Sequence, residues 1–230
     1  MSTSCVLALD TTAAKGGVAV CSNGILAAER RWDALGSHST LLMREVSEAL
    51  RDCSTAWEDI THLAAIVGPG SFTGIRIGLG TIQGLAHALD KPILGITALE
   101  ALAYSTGSGQ SRIGSVIDAR RNQVFHQLFD FGVDGLPVPA NEPRCDMAAD
   151  WLRVLPDFPG RYIGSGASLY RSSILALDNR FEVLPEAEYL AGFAARMAAQ
   201  RILSGIDTGS ANVDALYVRP PDVLLSQIRT

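Results

Sequence analysis

The sequence contains no long hydrophobic run. Its longest unbroken apolar runs cover five residues, as in Leu63–Val67, whereas a helix that crosses a membrane needs about 20. The first nine residues carry no basic side chain and only a five-residue apolar stretch, so they do not resemble a secretory signal. These two absences exclude the membrane-spanning and exported classes, and we expect a cytoplasmic protein.

Cysteine is scarce, and its positions match no metal or redox motif. None of the cysteines belongs to a C-x-x-C pair, and none lies at metal-ligand spacing from a histidine. Cys5 and Cys21 fall in apolar, strand-like runs, where a free cysteine usually behaves as a small buried hydrophobic residue. We therefore expect neither a zinc ribbon nor a thiol redox site. The four residues are Cys5, Cys21, Cys53 and Cys145.

Positive charge is also sparse. Only Lys15 and Lys91 are lysines among the 19 basic residues, and the formal net charge at pH 7 is -5. The first 110 residues hold 7 basic and 10 acidic side chains, and the remainder holds 12 and 14, so neither half is basic. Because contacts to phosphate need lysine and arginine, direct binding of RNA or DNA by this chain alone is disfavoured.

What the sequence does contain is the composition of a folded protein with one large or two small domains. Hydrophobic residues make up 47% of its 230 residues and charged residues 19%. The polar, glycine-containing segment Thr106–Ser111 is the best candidate for a linker. It divides the chain into an N-terminal part, 1–106, and a C-terminal part, 107–230, whose last segment could pack back on the first part.

Both parts show the same order of elements: three strands, then helix, strand and helix. A strand meander followed by alternating helices and strands predicts a mixed sheet covered by helices, so we expect an α/β protein with two lobes and a cleft between them. The predicted strands are 5–9, 17–21, 25–31, 63–67, 92–96, 113–118, 123–130, 138–144, 162–164 and 181–184. The predicted helices are 39–53, 71–89, 97–104, 147–155, 168–177 and 187–203.

The polar residues Asp10, Thr11 and Thr12 come directly after the first predicted strand. Backbone N–H groups and hydroxyls at the end of a strand can hold a phosphate or a metal-bound water. The same residue types also form polar turns with no ligand. The sequence leaves both interpretations open, and we take these three residues as candidates for contact with a phosphate or nucleotide.

The stretch Gly68–Gly78 is the most unusual part of the sequence. It lacks the lysine of a P-loop, the glycine spacing of a dinucleotide fingerprint and the G-x-S-x-G frame of a hydrolase elbow. We predict a tight turn from a strand into a helix. Gly74, Gly78, Gly80 and Gly84 continue into that helix, where each costs about 1 kcal/mol relative to alanine, and this cost indicates a packing or contact role.

Four stretches together resemble the bacterial TsaB (YeaZ) family: Leu9–Thr12, Gly68–Gly78, Ile113–Arg120 and Tyr217–Pro220. The resemblance covers most of the chain. It implies the actin-like, sugar-kinase-like ATPase fold, which is ribonuclease H-like and contains a duplicated βββαβαβα unit. It also implies a role in making threonylcarbamoyl-adenosine at position 37 of tRNAs that read codons beginning with A.

The resemblance further implies the partners of the chain. In this family the paralogue TsaD transfers the threonylcarbamoyl group, TsaB forms a heterodimer with TsaD, and the ATPase TsaE completes the assembly. An isolated TsaB chain is expected to pair with itself, to meet tRNA only through the complex, and to bind no membrane. ATP or ADP is expected only within the complex, with no cofactor bound catalytically. Gly164 and Gly166 resemble the glycine turn that approaches adenosine in this fold.

The same resemblance predicts that the chain is not an enzyme. TsaD holds its metal with an H-x-x-x-H pair, and those two positions fall here on Ala98 and Leu102, which cannot bind a metal. A metal-dependent, glycoprotease-like peptidase and a small-molecule kinase of the same fold are the alternatives. The four histidines are widely spaced and replace neither ligand: His38, His62, His87 and His126.

Two predicted helices carry more apolar or small residues than a single buried face needs. On the first, Leu41 and Met43 lie off the stripe that faces the sheet, and on the second, Gly74 and Gly78 would allow a facing helix to come close. In the resembling family these two helices pair with TsaD. The alternative is that both helices only cover the sheet. The predicted partner surface consists of Ser39, Leu41, Met43, Val46, Gly70, Phe72, Gly74, Ile75, Arg76 and Gly78.

Overall fold

A computed structural model describes residues 4–33, 38–107, 112–155 and 160–219. These residues form two compact units. The first contains the described residues up to Ala101 together with Tyr189–Leu216, and the second contains Leu102–Glu188 together with Tyr217–Arg219. Within the described ranges, no helix is both long enough and apolar enough to cross a membrane.

The first unit is built on a five-stranded mixed sheet. An antiparallel meander comes first, and its turn at Asn23 and Gly24 has positive φ at both residues, which suits a tight hairpin. Two further strands follow in the sheet: one pairs in parallel with the first strand, and the next pairs in parallel with that one. The strands are β1 Cys5–Asp10, β2 Lys15–Ser22, β3 Ile25–Asp33, β4 His62–Ile66 and β5 Ile93–Ile96, in the order β3-β2-β1-β4-β5.

Helices cover both faces of this sheet because each presents an apolar stripe. The first helix buries the stripe predicted from the sequence, with Leu42, Val46, Ala49 and Leu50 inside the core. A late, alanine-rich helix packs against β1 and β2, where Gly17 lies directly beside Ala191. The helices are α1 His38–Asp52, α2 Phe72–Leu89, α3 Ala98–Ser105 and α7 Ala191–Leu203, with a short 3-10 helix at Trp57–Asp59.

The second unit contains a six-stranded sheet with shorter helices. Its main path has the order β11-β10-β6-β7-β8, and β9 also pairs with β7. The strands are β6 Ile113–Asp118, β7 Gln123–Phe131, β8 Pro137–Pro139, β9 Arg144–Met147, β10 Arg161–Ile163 and β11 Glu182–Val183. The helices are α4 Ala148–Val154, α5 Ser165–Leu169 and α6 Arg171–Leu177.

Three predicted elements differ from the structure in this later part of the chain. The single strand expected at 138–144 is two short strands, β8 and β9, because Asn141 fills the gap between them and accepts a hydrogen bond from the Leu128 N–H at 2.8 Å. The helix expected at 168–177 is divided at Tyr170 into α5 and α6. The helix expected at 187–203 begins at Ala191.

The two units also differ from the predicted division at residue 106. The first unit ends at Ala101 and then regains Tyr189–Leu216, which carries α7 onto the first sheet. The C-terminal part, 107–230, is therefore not one lobe, because Tyr189–Leu216 belongs to the first unit and Tyr217–Arg219, which follows it, belongs to the second. Of the proposed linker, only Thr106 and Gly107 fall within the described residues, and 108–111 lie outside them.

Candidate functional site

The loop after β1 holds the three polar residues that were candidates for phosphate contact. All three are buried. Asp10 accepts hydrogen bonds from the Thr12 backbone N–H at 2.9 Å and from the Thr12 hydroxyl at 2.8 Å. The Thr11 hydroxyl donates to the Gly74 carbonyl at 2.7 Å. Burial raises the pKa of Asp10, and the bonds from Thr12 offset only part of that effect.

These bonds join the loop to its own chain and form the polar turn that the sequence left open as the alternative. The side-chain hydroxyls of Thr11 and Thr12 are occupied by protein partners. Contact of Asp10, Thr11 and Thr12 with a phosphate or nucleotide stays a prediction. In the structure, their evident role is to fix the loop against helix α2.

The glycine-rich stretch is a tight turn from β4 into α2, as predicted. Its Gly68–Pro69 peptide bond is cis, and Gly68 has a φ of 119° in the region that favours glycine. Ser71 begins the helix, because its side chain accepts a hydrogen bond from the Gly74 N–H at 3.2 Å. Its own backbone N–H donates to the Thr12 carbonyl at 2.7 Å, which joins this turn to the loop after β1.

The structure shows a different role from the predicted one for three of the glycines, Gly70, Gly74 and Gly78. A Cβ on Gly70 would meet the Thr12 carbonyl, and a Cβ on Gly74 would meet the Thr11 carbonyl oxygen. A Cβ on Gly78 would lie 2.5 Å from the Thr11 hydroxyl oxygen. These glycines therefore let α2 and its turn approach the β1 loop inside the chain, and Gly74 and Gly78 are buried. They do not flatten a surface for a facing helix.

The open glycines of α2 are Gly80 and Gly84. Both are exposed, and a Cβ at either position would meet no atom within 4 Å. They are four residues apart, so they lie on the same face of the helix. The prediction placed the partner surface at Gly74 and Gly78 instead, because the spacing of glycines does not show which pair faces Thr11.

The remaining predicted interface residues divide into surface and core. Val46 and Ile75 are buried, at 0% and 1% exposure, and belong to the hydrophobic core, so their assignment to a partner surface is wrong. Leu41 is half-buried against that core. Ser39 and Arg76 are exposed, and the apolar side chain of Met43 is 43% exposed.

Arg76 lies on its own helix over the ring of Phe72. The guanidinium carbon is 3.9 Å from the ring centroid, which is a cation–π contact between residues four apart. Phe72 is half-buried. The surface at the start of α2 therefore combines an aromatic ring with a positive charge, and it continues along the helix into the open positions at Gly80 and Gly84.

Helix α1 is held in place by two polar contacts with β3. Arg30 donates to Glu45 at 2.9 Å and to Asp52 at 3.1 Å, so one guanidinium spans two turns of the helix. Trp32 donates to His38 Nδ1 at 3.2 Å, which leaves the proton on Nε2, and Nε2 lies 2.8 Å from the Ala13 carbonyl. The start of α1 is thus joined to the β1 loop as well.

Gly164 and Gly166, the candidates for contact with adenosine, lie close to the backbone of β6. A Cβ on Gly164 would meet the Val116 carbonyl, and Gly164 has a φ of 109°. A Cβ on Gly166 would lie 3.0 Å from the carbonyl carbon of Ile117. These glycines permit the close approach of α5 to the strand, and contact with a nucleotide stays a prediction for both.

The two positions on which the resemblance placed the metal ligands of TsaD are buried. Ala98 and Leu102 lie on α3 with exposures of 1% and 3%. Thr97 caps this helix, as predicted, because Thr97 and Glu100 exchange side-chain to backbone bonds at 2.9 and 3.0 Å. Across the described ranges, no three His, Cys, Asp or Glu residues are grouped so that they could hold a metal ion.

Comparison with known proteins identifies the family. Residues 33–156, more than half of the chain, match the family model described as TsaD, tRNA N6-adenosine threonylcarbamoyltransferase. The chain is 34% identical over 171 residues to the tRNA threonylcarbamoyladenosine biosynthesis protein TsaB of Bacillus subtilis, a match that covers 74% of each chain. The chain belongs to the TsaB family. The TsaB of Escherichia coli is 28% identical over 227 residues, which cover 93% of this chain and 94% of that one.

Solved structures of TsaB relatives share the architecture described above. YeaZ from Pseudomonas aeruginosa is 26% identical and superposes with a TM-score of 0.72 over 94% of this chain and the whole of that one. A second Pseudomonas aeruginosa protein, described as similar to peptidase YeaZ, reaches a TM-score of 0.79 at 24% identity, with the same coverage. These likenesses confirm the predicted α/β fold with two sheets, as it occurs in YeaZ.

Proposed function

We propose that this chain is a non-catalytic partner subunit in the biosynthesis of threonylcarbamoyl-adenosine on tRNA, and that it binds and activates TsaD through helices α1 and α2. Membership of the TsaB family supports the part of the proposal that concerns this biosynthesis. The observation that carries the pairing is the open face of α2, where Gly80 and Gly84 have no neighbouring atoms within 4 Å of a Cβ position.

Such glycines destabilise a helix, because each costs about 1 kcal/mol relative to alanine. Thr11 explains Gly74 and Gly78, but among the described residues no atom lies within 4 Å of a Cβ built on Gly80 or Gly84. A facing helix of another chain would explain them, since small residues allow two backbones to approach closely. Met43 on α1 and Arg76 on α2 are exposed apolar and charged side chains that a partner helix could also contact.

The proposed surface rests on a rigid base. The β1 loop bonds to the start of α1 through His38 and to the start of α2 through Ser71 and Gly74. Both helices are therefore fixed to one loop at the end of the first sheet. A surface held in this way loses little conformational entropy when a partner binds, which favours a scaffolding role.

The experiment is a binding titration between this chain and purified TsaD. We expect Gly84→Leu to weaken association at least tenfold, because the side chain would fill the space that a facing helix needs. Its matched control is Ala176→Leu, which adds a similar bulk at an exposed position of α6 in the second unit. Since leucine is a better helix former than glycine, the thermal stability of Gly84→Leu should be equal or higher.

Two results would contradict the pairing. Either unchanged affinity of a folded Gly84→Leu chain for TsaD, or equal weakening by Ala176→Leu, would show that the open face of α2 is not the contact surface. Met43→Asp provides a second test on α1, because a buried, unpaired carboxylate weakens an interface whereas an exposed one does not.

A further inference from the structure

The second unit contains a cavity of about 530 Å³ on the face of its sheet that α4 covers. It arises because α4 has only seven residues and buries two of them, whereas α1 in the first unit has fifteen and buries five. Gly114 also contributes, because the absence of a side chain lets the ring of Tyr162 lie directly on β6. The volume falls within the range of small-molecule sites.

One wall of the cavity is polar and is organised around Asp146. Its carboxylate lies 2.9 Å from Nε2 of His126 and 3.1 Å from Nε of Arg144. Because a carboxylate accepts hydrogen bonds, the proton of His126 resides on Nε2, and Nδ1 keeps a lone pair. Burial lowers the pKa of His126 more than Asp146 raises it, so the neutral form is favoured. Arg144 compensates the charge of Asp146.

His126 therefore presents an oriented acceptor to the cavity. Among the residues that the structure describes, its only hydrogen bond is the one from Nε2 to Asp146. The side chain is 12% exposed and lines the cavity. A ring nitrogen with a free lone pair on a cavity wall can accept a hydrogen bond from a ligand donor that takes the place of water.

The lining of the cavity also includes apolar and aromatic side chains. They include Trp151, Leu155 and Leu128, and the ring of Trp151 has neighbours on both sides. The centroids of His126 and Trp151 are 6.2 Å apart, and those of Trp151 and Tyr162 are also 6.2 Å apart. A lining that contains aromatic and aliphatic side chains favours a guest with an aromatic body over a fully polar one.

We propose that this cavity binds a small, uncharged, planar heteroaromatic molecule whose N–H donates to Nδ1 of His126. The proposal concerns the second unit alone and does not depend on the pairing surface of the first. Free nucleobases and indoles both have this chemistry, and the test includes one of each.

The test is a protein NMR titration of the full chain with adenine, with indole and with 1-methylindole, which has the shape of indole but no N–H. We expect saturable shifts at the backbone amides of Gly114, Leu128 and Trp151. Of indole and 1-methylindole, the former should bind about fivefold more tightly, the effect of one typical hydrogen bond. The relative affinities of adenine and indole show whether the cavity prefers a nucleobase or an indole.

Variants at the acceptor complete the test. His126→Phe keeps a ring but removes the lone pair, and it should abolish the preference for indole over 1-methylindole. His87→Phe, on the exposed face of α2, is the control and should change nothing. If His126→Phe fails to fold, Asp146→Asn serves instead, because loss of the orienting carboxylate should reduce the same preference. Absence of saturable shifts with both adenine and indole, equal affinities for the two indoles, or a preference that survives at either variant would overturn the proposal.

Discussion

Thr11 determines how closely helix α2 can approach the first sheet. Its hydroxyl donates to the Gly74 carbonyl, and its own atoms occupy the space beside Gly74 and Gly78. Two of the glycines in α2 are thus required by a residue of the same chain, and two others, Gly80 and Gly84, are not. The effect of a glycine-to-alanine substitution on the free energy of unfolding measures this difference.

Gly74→Ala should destabilise the fold, and Gly80→Ala should stabilise it. At position 74 a Cβ would overlap the Thr11 carbonyl, and the backbone must move, which costs about 1–3 kcal/mol in a packed interior. At position 80 nothing lies within 4 Å, so alanine should gain up to about 1 kcal/mol through its helix propensity. The free energy of unfolding from chemical denaturation tests both. Equal effects at the two positions would contradict this assignment.

The sequence identified these glycines as unusual but could not assign their partners. Thr11 and Gly74 are 63 residues apart, and nothing in the spacing of glycines shows which of them faces a distant loop. Val46 and Ile75 were wrongly assigned to the partner surface for the same reason. The sequence pattern of an apolar helix residue is the same in a core and in an interface. The exposed fraction of each side chain, which is known only from the fold, distinguishes a core position from an interface position.

At the scale of elements, α1 depends on ionic contacts with β3. Glu45 is buried on the sheet side of α1 and accepts hydrogen bonds from Arg30 and from Arg44. Burial alone would raise the pKa of Glu45, but the bonds from Arg44 and Arg30 outweigh it and lower the pKa below its ordinary value of 4.5. The folded state therefore prefers the ionised carboxylate.

Acid should remove the stabilising contribution of Glu45. A carboxyl group with a lowered pKa in the folded state stabilises the fold above its unfolded pKa, and this stabilisation is lost as the pH falls through the folded value. We expect Glu45→Gln to be less stable than the original chain at pH 7, and the difference to shrink below about pH 4.5. Thermal unfolding at several pH values measures it. A difference that stays constant down to pH 3 would contradict the ionic contribution.

The elements of the first sheet could be predicted from the sequence because they are regular. Buried strands such as β1 and the apolar stripe of α1 give clear periodic patterns, and Asn23 with Gly24 marks the hairpin. The second unit has shorter elements and was predicted less well. Pro137 and Pro139 limit β8 to three residues, and the contact of Asn141 with Leu128 across the strand gap has no local signature.

At the scale of the whole molecule, charge limits what the chain can bind alone. With a net charge of -5 and no basic half, it lacks the surplus of lysine and arginine that contacts with phosphate require. We expect the isolated chain to bind tRNA no more tightly than the roughly 10⁻⁴–10⁻⁶ M of non-specific binding at physiological salt. A filter-binding titration at two salt concentrations tests this, and tight binding with a steep salt dependence would contradict it.

The central claim is that the chain supports TsaD without catalysing the transfer itself. The direct measurement is the rate of threonylcarbamoyl transfer to tRNA from threonylcarbamoyl-adenylate, with TsaD and TsaE, in the presence of this chain or its Gly84→Leu form. We predict no transfer by the chain alone, transfer when TsaD and the chain are combined, and a rate at least tenfold lower with Gly84→Leu. Transfer by the chain alone, or equal rates with and without it, would contradict the account.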